Sequence, residues 1–130
     1  MGSIIVLADD EEDLRAVYGA TLREAGYRVW EAADGAETIS AVRERRPDLL
    51  LLDVWMPILS GFEVVEAMRH DALSGSVKVV MLSNLDDADS RLEGFSAGVA
   101  DYWVKGLPLD ELCRRVGEIL GEARDGSEAG

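Results

Sequence analysis

The chain has one cysteine, one histidine and half as many basic as acidic side chains in its 130 residues. A single cysteine, Cys113, excludes an internal disulfide and suits a reducing compartment. Lys and Arg number 13 against 26 Asp and Glu, a formal charge of −13. So acidic a chain lacks the clustered positive charge that nucleic acid or an anionic membrane requires. No apolar run approaches the roughly 20 residues of a membrane span, and no secretory signal precedes the first apolar run. The expectation is a cytoplasmic protein that contacts neither nucleic acid nor membrane through this domain. The lone histidine, His70, falls near the end of a helical pattern, where the helix dipole favours it; that bland role outweighs a chemical one.

What is abundant is apolar residue, 48% of the chain, in a length that makes one domain. Apolar runs alternate with amphipathic stretches. Strand-like segments begin near Ser3, Tyr27, Asp48, Val77 and Ala100, a rhythm of βα units that build a parallel sheet. The first, third and fourth runs are nearly continuous in apolar residues, so both sheet faces are expected to be covered by helices. Leu14, Val17, Tyr18, Leu22 and Ala25 repeat at helical steps, and Gly26 stops that helix. The second helix spans Ala36 to Arg45, between Asp34-Gly35 and Pro47. Phe62, Val65, Met68 and Arg69 follow Ser60, a candidate N-cap. Leu85, Ala88, Leu92 and Phe95 make a fourth helix ending near Gly98, and Leu109, Leu112, Val116, Ile119 and Leu120 a fifth, opened by Pro108 and Asp110. The reading is α/β, a βα unit repeated five times over residues 3–121, with 122–130 a polar linker or disordered tail.

The chemistry sits where the runs end. Asp9 and Asp10 close the first, Asp53 follows four leucines in the third, Ser83 closes the fourth and Lys105 the fifth. In a parallel sheet these groups meet at one edge, where open α/β folds place their sites. Three packed carboxylates repel one another without a cation, and hard divalent ions such as Mg²⁺ take carboxylate oxygens. Asp9, Asp10 and Asp53 are therefore the candidate metal ligands. Asp53 has no packing reason to follow four leucines, and an aspartate there can attack a phosphoryl donor. Lys105 would neutralise phosphoryl oxygens or pair with Asp53 at rest, and the Ser83 hydroxyl would donate to one of those oxygens. Taken singly, Asp9-Asp10 reads equally as a helix cap, Ser83 as a cap and Lys105 as a solvated lysine; their coincidence favours the site.

In this order and spacing the motifs resemble the response regulator receiver domain of two-component signalling. They are Leu7-Ala8-Asp9-Asp10-Glu11, Asp53-Val54-Trp55-Met56-Pro57 with Gly61, Met81-Leu82-Ser83, Ala97-Gly98-Val99-Ala100-Asp101-Tyr102, and Lys105. The resemblance implies a flavodoxin-like three-layer sandwich whose five-stranded parallel sheet has the order 2-1-3-4-5. It implies Mg²⁺ on Asp9, Asp10, Asp53 and the backbone carbonyl of Trp55, and phosphorylation of Asp53 by a sensor histidine kinase or a histidine phosphotransfer protein. Ser83 and Tyr102 match the switch positions. Their movement would reshape the face of the fourth helix, fifth strand and fifth helix that a downstream partner or attached output domain reads, in a monomer or a phosphorylation-dependent dimer. The module is then a self-phosphorylating switch rather than an enzyme.

Three departures stand out. Gly106 follows Lys105 where the family usually has proline, so a trans bond is expected. Asn84 stands where a small residue is usual and is expected to narrow access, and Trp55 is large enough to shield an acyl phosphate. Two enzyme or carrier classes fit less well. A haloacid dehalogenase-type phosphatase would want an acid where Trp55 stands, and a flavin carrier would not offer Asp9-Asp10-Glu11-Glu12 to a phosphate. A docking-only module would not need Asp10, Asp53, Ser83 and Lys105 together. Elsewhere, Cys113 is expected to be a half-buried inert thiol, Trp30 and Trp103 to cover sheet edges, a partner surface being the lesser alternative for Trp103, and Arg114 and Arg115 to be solvated.

Overall fold

The computed structural model describes residues 2–70, 77–84 and 98–122. Strands β1 (Ile4–Ala8), β2 (Arg28–Ala32), β3 (Leu49–Asp53), β4 (Lys78–Ser83) and β5 (Asp101–Val104) form one sheet of order β2-β1-β3-β4-β5. Every pairing is parallel. Helices α1 (Glu12–Glu24), α2 (Gly35–Arg45), α3 (Gly61–Arg69) and a C-terminal helix (Leu109–Ile119) follow β1, β2, β3 and β5. The fourth expected helix falls on residues 85–97, outside the described residues, as does 123–130 of the expected tail.

The period-two geometry of a strand explains why the apolar runs are unbroken. Val6, Ala8, Leu50, Leu52, Val79, Met81 and Tyr102 face one side, against Val42 of α2 and Val64, Val65 and Met68 of α3. Ile5, Leu7, Leu49, Leu51, Val80, Leu82 and Trp103 face the other, against Tyr18 and Leu22 of α1 and Leu112 and Val116 of the C-terminal helix. The result is a three-layer sandwich with two apolar layers.

Helix starts are set by side chains that satisfy free backbone N–H groups. Asp34 accepts from Glu37 N at 2.8 Å, and Ser60 and Glu63 form a reciprocal capping box. Gly26, at φ 104°, turns the chain after α1. His70 caps α3 at its C-terminal end, as its position suggested. Glu122, the first residue of the expected tail, accepts a hydrogen bond from Tyr27 Oη at 2.8 Å.

Two surface expectations are corrected. Val17, counted in the α1 stripe, is 49% exposed, because the buried face of α1 is only as wide as Tyr18, Gly19 and Leu22. Trp103 is no partner surface. It is 2% exposed, lies under the C-terminal helix, and donates from Nε1 to Asp101 Oδ2 at 2.9 Å. Arg114 and Arg115 are tied to Glu111 along their own helix, and Arg114 also to Glu118.

Candidate functional site

The C-terminal ends of β1, β3, β4 and β5 carry Asp9, Asp53, Ser83 and Lys105 to one edge. Asp9 prolongs β1 by donating its N–H to the Ala32 carbonyl at 3.0 Å. Its Oδ1 accepts from Glu11 N at 2.8 Å, while Arg15 Nη1 donates to its backbone carbonyl at 2.7 Å. Asp53 Oδ1 accepts from Trp55 N at 3.3 Å. Lys105 Nζ stands between the acids, 3.0 Å from Asp53 Oδ1, 3.1 Å from Asp9 Oδ2 and 3.6 Å from Glu11 Oε2. The Lys105–Gly106 bond is trans, as the glycine led us to expect.

One ammonium faces two buried acids, and that imbalance governs the electrostatics. Asp9 is fully buried and Asp53 3% exposed. Burial, and then the charge of Asp9, push the Asp53 carboxyl up to about 7, against the pull of Lys105 and the Trp55 N–H. Burial also raises Asp9, offset in part by the Glu11 N–H and Lys105. Burial pulls the Lys105 ammonium down, but its bonds to Asp53 and Asp9 reverse this and leave it raised.

A divalent cation fits the surplus of negative charge. Asp9, Asp10 and Asp53 each offer a carboxylate oxygen within 4.8 Å of the others, with Asp10 exposed at the mouth. Asp53 Oδ2 is buried and accepts no hydrogen bond from any described residue. A carboxylate oxygen left so is costly unless something cationic takes it. All three acids expected as ligands thus converge. Trp55 follows on the β3–α3 loop, a residue 60% exposed, its ring edge-on to Phe62 at 6.5 Å.

Ser83 is 3% exposed, and its hydroxyl donates to the Asn84 carbonyl at 3.2 Å. Asn84 itself is exposed. Tyr102 is 5% exposed, its ring packed in the layer shared with α2 and α3. Sequence reasoning passed over Glu11, Arg15 and Tyr18. Glu11 and Arg15 flank the acid pair, and closeness to Asp9 was the available signal. Tyr18 counted only as core, yet its Oη accepts from Gly106 N at 3.1 Å, a contact across the fold that no local pattern announces.

A five-stranded parallel sheet with acids, a hydroxyl and a lysine at its carboxyl edge defines a flavodoxin-like α/β domain with a charged site at that edge. The sequence pattern of the response regulator receiver domain matches residues 5–117, and the chain belongs to that family. Members are signalling proteins, not conventional enzymes, and generally bind Mg²⁺ at an acidic site. The transcriptional regulatory protein PrrA of Mycobacterium tuberculosis is 41% identical over 96% of this chain and 52% of its own length. PhoB of Pseudomonas aeruginosa, a phosphate regulon transcriptional regulatory protein, is 32% identical over 99% of this chain and 57% of its own. The chain therefore spans about half the length of the curated relatives it matches. Among solved structures, the chemotaxis response regulator CheY4 of Vibrio cholerae superimposes with a TM-score of 0.85 at 28% identity, covering 92% of this chain and 99% of that one. No helix among the described residues is long and apolar enough to cross a membrane.

Proposed function

We propose that Asp53 is the phosphoryl acceptor of this receiver domain, taking the group from a sensor histidine kinase or a histidine phosphotransfer protein. The observation that carries this reading is the buried Asp53 carboxylate, with Lys105 at 3.0 Å from one oxygen and no hydrogen bond from any described residue on the other. A carboxylate oxygen of Asp53 forms the new O–P bond as the donor's N–P bond breaks, and the electron pair leaves with the imidazole. Asp9, Asp10, Asp53 and the Trp55 carbonyl would hold Mg²⁺, which when bound draws charge from the transferring phosphoryl oxygens. Lys105, paired at rest with Asp53 and Asp9, turns to those phosphoryl oxygens and offsets their charge. The Ser83 hydroxyl, now on the Asn84 carbonyl, turns to donate to a phosphoryl oxygen. Tyr102 responds in the buried layer beside it, and the surface of β5 and the C-terminal helix changes for a downstream protein or attached output domain. The domain acts as a monomer or as a dimer formed on phosphorylation. Its signal is a shift in population between two states.

Intact-mass spectrometry after incubation with acetyl phosphate and Mg²⁺ tests the acceptor. One phosphoryl increment is expected, dependent on Mg²⁺ and lost in Asp53→Asn. No increment with either acetyl phosphate or phosphoramidate would overturn the reading in favour of a docking-only module.

Trp55 sits two residues past the acceptor with its N–H on Asp53 Oδ1. Its indole limits the approach of water to an acyl phosphate there. Trp55→Ala should shed the phosphoryl group several-fold faster than wild type in a timed mass series. Equal or slower loss in the variant would remove the shielding role.

A further inference from the structure

Lys105 reaches the acids from a turn that is held by a bond outside the site. Its N–H donates to the Ser83 carbonyl at 2.7 Å, the last rung between β5 and β4. One residue on, Gly106 adopts φ 88°, a left-handed conformation that side-chain-bearing residues rarely take. Among the described residues, its chain neighbours aside, no atom would meet a Cβ within 4 Å there, so the conformation, not space, calls for glycine. The Gly106 N–H donates to Tyr18 Oη at 3.1 Å. Proline at 106 would offer neither that donor nor that φ.

Tyr18 is suited to serve as a fixed point. It is 4% exposed, and its ring is packed with Leu22, Leu112 and Val116 in the layer between α1, the sheet and the C-terminal helix. Gly106, by contrast, is exposed, and a glycine beside the lysine brings two soft dihedrals and no packing side chain.

We propose that Tyr18 is a positioning residue for phosphoryl transfer: its hydroxyl sets the Lys105–Gly106 turn and so holds the Lys105 ammonium at Asp53. This rests on Asp53 being the acceptor. Removing the hydroxyl keeps the ring in its layer, and water can take the exposed Gly106 N–H, so the fold loses little. What is lost is the restriction on the turn, and with it the fraction of time that Lys105 is in place. Asp9 and Asp10 follow β1 and Asp53 ends β3, so the acids keep their backbone positions when the turn loosens.

The test is the initial rate of phosphorylation by acetyl phosphate, followed by intact mass, in wild type, Tyr18→Phe, Lys105→Ala and the double variant. Tyr18→Phe should be about fivefold slower than wild type, the scale of one net hydrogen bond. Half-saturation by Mg²⁺, read from tryptophan fluorescence, should hold or tighten, because a lysine less often at the acids competes less with the cation for them. Added to Lys105→Ala, Tyr18→Phe should cost nothing further, because its effect passes through the lysine. A wild-type rate in Tyr18→Phe, a parallel loss of Mg²⁺ affinity, or the same fold-loss in both backgrounds would overturn the proposal while leaving the acceptor intact. A wild type that takes no phosphoryl group would overturn both.

Discussion

The metal-free protein should melt about 5 °C higher near pH 5.5 than near pH 7.5, and Mg²⁺ should flatten that slope. Asp53 has an ordinary carboxyl value of 3.8 when unfolded and is held at about 7 by burial and the charge of Asp9 when folded. Asp9 is raised as well. A carboxyl raised on folding binds its proton more tightly in the native state. Its contribution is complete below the unfolded value and is lost as pH rises through the folded one. Between about pH 4 and 7, then, this site loses stability as the solution becomes less acid. For Asp53 alone the loss across the measured interval is about 2 kcal/mol.

Other shifted groups are silent in that window. Glu111, lowered to about 2 by hydrogen bonds from Arg114 and Arg115, contributes above its ordinary value of 4.5 and loses that contribution only in stronger acid. Lys105, raised above 10.5, changes only in alkali. Mg²⁺ competes with protons for the same oxygens, so its stabilisation is larger near pH 7.5 than near pH 5.5. At about ten times its Kd it should add about 1.4 kcal/mol. Asp53→Asn should remove its share of the slope, leaving that of Asp9, and raise the metal-free melting temperature near pH 7.5, and Asp10→Asn should abolish the response to Mg²⁺. A metal-free melting temperature that stays level or drops on acidification would show that the acid pair is not under strain.

Much of this site was legible because strand chemistry is regular. Leu49 to Leu52 announce a strand buried on both faces, and a charged residue that follows them stands at the strand's carboxyl end. That reasoning brings Asp9, Asp53, Ser83 and Lys105 together without a structure. Ser60 before an amphipathic run likewise marked the start of α3. What could not be read depends on contacts remote in sequence. Trp103 lies on an edge strand, yet the C-terminal helix folds back over its face and makes it core. Val17 has the right spacing for the α1 stripe but lies past the edge of the surface that the sheet covers. The Tyr18 ring was legible as apolar, whereas its hydroxyl has meaning only once Gly106 arrives beside it. Periodicity reports which face a side chain takes, not which atom it meets there.

Gly61→Ala should destabilise the domain by about 3 kcal/mol and lower its melting temperature by about 10 °C. The first residue of α3 is pressed against the strand end that carries the acceptor. A Cβ on Gly61 would overlap the Asp53 backbone carbonyl oxygen and come within 3.1 Å of Val54 Cα. Both are backbone atoms and cannot swing aside as a side chain would. The helix cannot retreat either, since Gly61 N is bonded to the Val54 carbonyl at 2.7 Å and the preceding Ser60 is locked in its capping box. The strain would therefore pass to Asp53 itself, and phosphorylation should slow along with the loss of stability. Gly19→Ala is the matched control. In the middle of α1 the described atoms nearest its Cβ would be the ends of Glu31, at 3.0 Å, and Arg23, at 3.3 Å, which are long side chains able to move. Replacing a mid-helix glycine by alanine favours the helix by about 1 kcal/mol, so that variant should melt at or above wild type. Thermal melts of the two variants decide the matter: a Gly61→Ala protein as stable as Gly19→Ala would mean that the β3–α3 junction yields easily, and that the acceptor is not held by the packing described.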